Sequence, residues 1–205
     1  MATVLSPYGL RVYKMLGDTP YSGGQHTLAL FANQTTGLFF GDPVGLINGN
    51  PVALTASPTT TLSANSPIGV FMGCSYQDPV RGFVNSQYLP ANLISGGATQ
   101  VTVKVMDSPF LVMAVQANGP VQANQIGLNA SLTNFGFGST QTGDSQVQLV
   151  AGSVATTATL AVRIYDFVYH AAPSPGASSQ PGDAYTDVLV VWNFGVQRYM
   201  NSAAQ

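Results

Sequence analysis

The chain has no glutamate and only two lysines, Lys14 and Lys104, in 205 residues. Charged residues make up 7% of it, against roughly 25% in an average soluble domain. Glu and Lys are strong helix formers and dominate exposed helix faces, so their scarcity argues against a fold built on surface helices. A formal net charge of −2 offers no basic footprint for a phosphate backbone, and no nucleic-acid partner is expected. The single cysteine, Cys74, excludes an internal disulfide. The longest apolar runs, residues 110–115 and 188–192, are too short to span a bilayer, so no membrane partner is expected. The opening residues MATVLSPYGL carry neither the basic nor the long apolar part of a secretory leader. The expectation is a protein made and folded in a cytoplasm.

Reactive constellations are missing as well. His26 and His170 lie far apart in sequence, without cysteine or acid at a metal-ligand spacing. No G-x-S-x-G, P-loop or G-x-G-x-x-G occurs. A glycosidase would have to pair two aspartates, and nothing singles out Asp144, Asp166, Asp183 or Asp187. Cys74 sits in an apolar stretch and reads as a small buried hydrophobe. The expectation is a protein that is not an enzyme and uses no metal or cofactor.

What remains is strand and turn chemistry. Gly (22), Pro (13) and abundant Thr, Ser, Asn and Gln separate short apolar runs. Residues 100–119 are the central stretch. Val101, Val103 and Val105 alternate with Thr102 and Lys104, which predicts a strand with one buried face. Asp107-Ser108-Pro109 breaks the run, and residues 110–115 are apolar on both faces, so that strand must be covered on both sides. Further strands are expected at 26–32, 37–47 (broken at Gly41-Asp42-Pro43), 68–76, 82–88, 145–150, 158–169 and 188–194. Gly69 and Gly73 mark bulges or close backbone approach. In 158–169, Leu160, Val162, Ile164 and Val168 share one face, interrupted by Asp166, and Arg163, Tyr165, Phe167 and Tyr169 share the other. The aspartates of the Asp-Pro and Asp-x-Pro sequences, Asp18, Asp42, Asp78 and Asp107, read as turn formers.

Short strands at regular spacing predict an all-β fold, an antiparallel β-sandwich or small barrel with long loops. Residues 1–25 are too punctuated by Gly and Pro for any period to survive and read as an extended N-terminal arm. Residues 26–121 form the β core and 122–144 a mostly irregular crossover. Residues 145–205 are a C-terminal β segment of the same domain or a small second lobe. Tyr and Arg are enriched at protein interfaces, so Tyr8, Arg11, Tyr13, Lys14 and Tyr21 in the arm, with Arg198 and Tyr199 in the tail, are the candidate partner contacts. A sparsely charged surface is also poorly guarded against association, which fits a surface covered by partners.

Several segments form an ordered series: Tyr8-Gly9-Leu10-Arg11, then Phe40-Gly41-Asp42-Pro43-Val44, and the residues 69–76 strand ending at Asp78-Pro79. Tyr88-Leu89-Pro90-Ala91 and the residues 107–119 stretch complete the series. Together they resemble a family of small strand-rich structural proteins of tailed bacteriophages. The resemblance spans most of residues 7–119, weakens over 160–167 and stops at the 171–187 loop. It implies a capsid decoration or cement protein on the virion exterior, made in the host cytoplasm and bound across copies of the major capsid protein. A homo-oligomer is expected, a trimer before a dimer. Two other readings use the same chemistry. One is a virion-surface carbohydrate- or host-binding module built on the hydroxyl-rich loops at 55–66, 129–143 and 172–186. The other is a low-copy tail or head-completion component.

Overall fold

The computed structural model describes residues 4–17, 19–61, 63, 65–168 and 180–201. Asp18, Tyr169, His170 and most of the Pro- and Gly-rich loop after them lie outside the described residues. The strands are β1 (Arg11–Met15), β2 (His26–Ala29), β3 (Leu38–Phe39), β4 (Pro43–Ile47) and β5 (Asn50–Ala53). Next come β6 (Gly69–Asp78), β7 (Gly82–Ser86), β8 (Tyr88–Leu89), β9 (Thr99–Met106) and β10 (Leu111–Gln116). The last are β11 (Asn129–Ala130), β12 (Leu132–Thr133), β13 (Gln148–Leu149), β14 (Val162–Phe167) and β15 (Asp187–Trp192). Helix among the described residues is confined to three single 3₁₀ turns, so none is long and apolar enough to cross a membrane.

The fold is all-β, made of antiparallel sheets packed together. A five-stranded sheet runs β1-β10-β15-β14-β11, and a six-stranded sheet runs β2-β9-β6-β4-β5 with β7 also on β6. β12 pairs with β13 and β3 with β8 in two short ribbons. Asn48 and Gly49, at φ 48° and 75°, make the tight turn between β4 and β5.

The central stretch forms two strands, but they do not pair with each other. β9 belongs to the six-stranded sheet and β10 to the five-stranded one, so Asp107-Ser108-Pro109 is the crossover between sheets. The faces follow the alternation. Val101, Val103 and Val105 are buried in one core with Phe71, Leu38 and Leu89. β10 is buried on both faces: Leu111, Met113 and Val115 enter the main core with Ile164, Phe167 and Val190. Val112 and Ala114 pack on the other side with Leu189 and Val168, beneath Tyr8 and Tyr165.

Two sequence expectations need correction, and a β-bulge explains both. Residues 1–25 are not wholly an arm. Leu10 is fully buried and Arg11–Met15 is a strand paired with β10. The register slips between Val12 and Lys14, leaving Tyr13 out of the ladder. Val12 and Met15 therefore both face the core at a spacing of three, which no period-two pattern matches. In β14 the register slips between Ile164 and Asp166. Phe167 thereby joins Val162 and Ile164 in the main core, while Val168 moves to the opposite cluster with Tyr165. The slip is why Asp166 interrupted the apolar face.

Two further segments are shorter or more structured than their sequences suggest. The 145–150 strand is only Gln148–Leu149, and the 122–144 crossover carries β11 and β12. In β6 the glycines act as expected. Gly73 sits at φ 125° in a register slip against β9, and a Cβ on Gly69 would overlap the Met106 carbonyl.

Candidate functional site

Three of the ordered motifs meet in space, and what they build is a joint. Leu10 N donates to Gly41 O at 2.9 Å, Gly41 N to Phe71 O at 2.9 Å, and Phe71 N to Asp42 O at 2.8 Å. Phe40 N donates to Gly143 O and Ser145 N to Phe40 O, at 2.8 and 3.0 Å. Gly41 sits at φ 95°, and a Cβ there would press on the Leu10 backbone. Asp42 lies at the centre, 1% exposed. Its carboxylate accepts from Phe39 N at 2.8 Å and from the Ser145 hydroxyl at 2.5 Å. Burial pushes its pKa up to about 6, against the smaller opposing effect of those two bonds. Asp42 ties distant segments together, which goes beyond forming a local turn. Asp78 does form one: its carboxylate accepts from Val80 N and Arg81 N, and those bonds hold its pKa down.

Most of the candidate contact residues are engaged within the chain. Arg11 pairs with Asp144 at 2.6 Å and stands 4.3 Å over the Phe40 ring. The Tyr8 hydroxyl donates to Asp187 at 3.0 Å; burial first, then that carboxylate, raises its pKa. The Lys14 ammonium stands 5.0 Å from the Tyr165 ring centre. Tyr21 donates to Gly24 O, and Arg198 to Leu46 O at 3.0 Å. Tyr13 and Tyr199 present about half of their surface to solvent. The structure therefore strings Tyr8, Arg11, Tyr13 and Lys14 along and beside β1, and places Arg198 and Tyr199 on a separate 3₁₀ turn.

Exposed large hydrophobic side chains include Val80, Phe31, Phe83 and Phe137, and three others gather at one end of the five-stranded sheet. Antiparallel pairing brings together the end of β1, the start of β10 and the end of β15. The residues flanking those ends, Leu16, Phe110 and Phe194, are 46%, 53% and 77% exposed. They line a groove of about 220 Å³ with Pro109, Val191 and Met200. Leu16 N donates to Phe110 O at 2.7 Å, which locks the first two together.

Gln197 fixes the C-terminal wall. It is fully buried, and its Nε2 donates to Ile68 O at 2.8 Å and Asp107 O at 3.2 Å. Its Oε1 accepts from Tyr199 N and Met200 N at 2.9 and 3.1 Å. Sequence reasoning did not find Leu16, Phe194 or Gln197, and it assigned Phe110 to a covered strand. No local pattern marks them, because each sits one or a few residues beyond a strand end.

On the other side of the crossover is a second concavity, of about 590 Å³. Its lining includes Met15, Tyr21, Gln25, His26, Asp107 and Ser108. His26 Nδ1 and Asp107 Oδ2 are 2.9 Å apart. The Asp107 side chain thus engages a histidine on the neighbouring strand in place of its own turn. The one tryptophan, Trp192, is 6% exposed within the main core. Cys74 is buried, and desolvation pushes its thiol up to about 12. Among the described residues no group of three or more His, Cys, Asp or Glu side chains gathers to hold a metal ion.

Compared with known protein families, with curated proteins and with solved structures, the chain matches none.

Proposed function

We propose that this chain is a structural component of a tailed-bacteriophage virion, a decoration or cement protein. In this reading it seats on the head exterior across copies of the major capsid protein and stabilises the shell by covering joints. The observation that carries the reading is the apolar end of the five-stranded sheet. Leu16, Phe110 and Phe194 flank paired strand ends there, with the wall behind them fixed by Gln197, yet remain exposed. Large apolar surface on a rigid support, in a chain with 7% charged residues, suits contacts that persist as salt rises. The ordered motif series supports the same reading.

The magnitude bears on how such a protein would bind. Phe110 and Phe194, 53% and 77% exposed, together present about 260 Å² to solvent. At about 25 cal/mol per Å² their burial is worth roughly 6.5 kcal/mol gross. Association costs on the order of 4–15 kcal/mol, so one such patch on one coat subunit holds weakly. Stable occupancy then needs several patches acting together. This favours a homo-oligomer, a trimer first, on a symmetric shell.

The test is mass spectrometry of purified virions with copy counting, paired with a reloading assay. Copies comparable in number to the shell's joints support a cement role. A handful per particle points to a tail or head-completion component, and none removes the virion reading. In reloading, the Phe110→Ser/Phe194→Ser double variant should keep its fold and lose binding to stripped heads. Undiminished loading of that variant refutes this face as the contact.

A further inference from the structure

We propose that the cavity beside the interstrand crossover is a binding site for a neutral saccharide. This is independent of the virion reading, since it concerns the isolated protein. The cavity is about 590 Å³, within the range of small-molecule sites. It is formed where the end of β1, the segment leading into β2 and the end of β9 converge.

Its lining is divided by chemistry. Met15, Met106, Pro20 and Tyr21 supply apolar and aromatic surface. Thr19, Ser22, Gln25, His26, Asp107 and Ser108 supply hydrogen-bonding groups. A pyranose has the matching duality, an apolar C–H face and a rim of hydroxyls that both donate and accept.

Charge narrows the ligand class. Among the described residues, His26 and Asp107 are the only ionisable side chains in the lining apart from the Tyr21 phenol, and they lie 2.9 Å from each other. Among the described residues no Lys or Arg lines the cavity, so a phosphate or carboxylate would meet no unpaired cation there. One carboxylate already shared with an imidazole is also a poor seat for an ammonium or a metal ion. The remaining acceptor capacity of Asp107, the Gln25 amide and the Ser and Thr hydroxyls suits neutral hydroxyls. The Asp107 side chain is 32% exposed and that of His26 46%, so both remain partly open to solvent.

The experiment is a ¹H–¹⁵N NMR titration of the full chain. The probes are glucose, galactose, N-acetylglucosamine, maltose and lactose, with sialic acid and inorganic phosphate as anionic controls. The expected result is a saturable shift of the Ser22, Gln25, His26 and Ser108 amides with at least one neutral sugar, at millimolar concentration. Affinity should fall at least about tenfold in Asp107→Asn, the loss expected for one hydrogen bond to a charged group. Gln25→Ala, which leaves the His26–Asp107 pair intact, should weaken binding in the same direction. The proposal is overturned by the absence of saturable shifts with every neutral sugar. Shifts that map elsewhere, equal affinity for the anionic controls, or unchanged affinity in both variants would overturn it as well.

Discussion

Replacing Asp42 by asparagine should remove much of the pH dependence of stability between about pH 4 and pH 6. The Asp42 carboxyl is buried and its folded pKa is about 6, against an ordinary value of 3.8. The folded state therefore holds a proton that the unfolded chain has released. The group's stabilising contribution is complete below about pH 4 and is lost as the pH rises through about 6. A gap of about two pKa units corresponds to about 3 kcal/mol, or a shift in Tm of roughly 6–12 °C for a chain of this size. Asparagine mimics the protonated form: its oxygen can accept from Phe39 N and its amide can donate to the Ser145 hydroxyl. The assay is urea unfolding of both proteins at several pH values, read as the difference in stability. That difference cancels the titration of other groups, including Asp78, whose lowered pKa acts in the opposite sense. The expected result is a wild-type protein that loses about 3 kcal/mol relative to the variant between pH 4 and pH 7. Parallel pH profiles for the two proteins would refute the reasoning.

Three other outcomes follow from the packing. Gly69→Ala places a methyl group into the Met106 carbonyl and the Asp107 backbone, neither of which is a flexible side-chain end, so it should cost more than about 4 kcal/mol by urea unfolding. Gln197→Ala removes the side-chain partner of the Ile68 and Asp107 carbonyls and of Tyr199 N, while Met200 N keeps its bond to the Gln197 backbone carbonyl. It should cost about 2–4 kcal/mol and speed proteolysis after residue 197, read as cleavage rate under native conditions. Cys74 should resist a thiol reagent at pH 8 in the folded protein and react at once in urea, because burial raises its pKa to about 12 and shields it.

The sequence by itself determined the fold class and many of the strands. Composition excluded surface helices, and period-two alternation marked β9 with its inward valines. The apolar run in β10 announced cover on both faces, and Gly73 marked a bulge. All of these signals act between residues a few positions apart. Where a single residue slipped, as at Tyr13 in β1 and Tyr165 in β14, the alternation lost phase and the strand or its facing was misread.

Only the tertiary structure decided which strands share a sheet. β9 and β10, consecutive in the chain, part at Asp107 because each finds its ladder partners elsewhere, in β6 and β2 and in β1 and β15. The apolar end and the His26–Asp107 cavity are consequences of that parting. Leu16, Phe110, Phe194 and Gln197 come from three separate stretches of chain, and His26 meets Asp107 across 81 positions. Such neighbours are set by hydrogen-bond ladders closing over long loops, and local residue pattern carries no record of them.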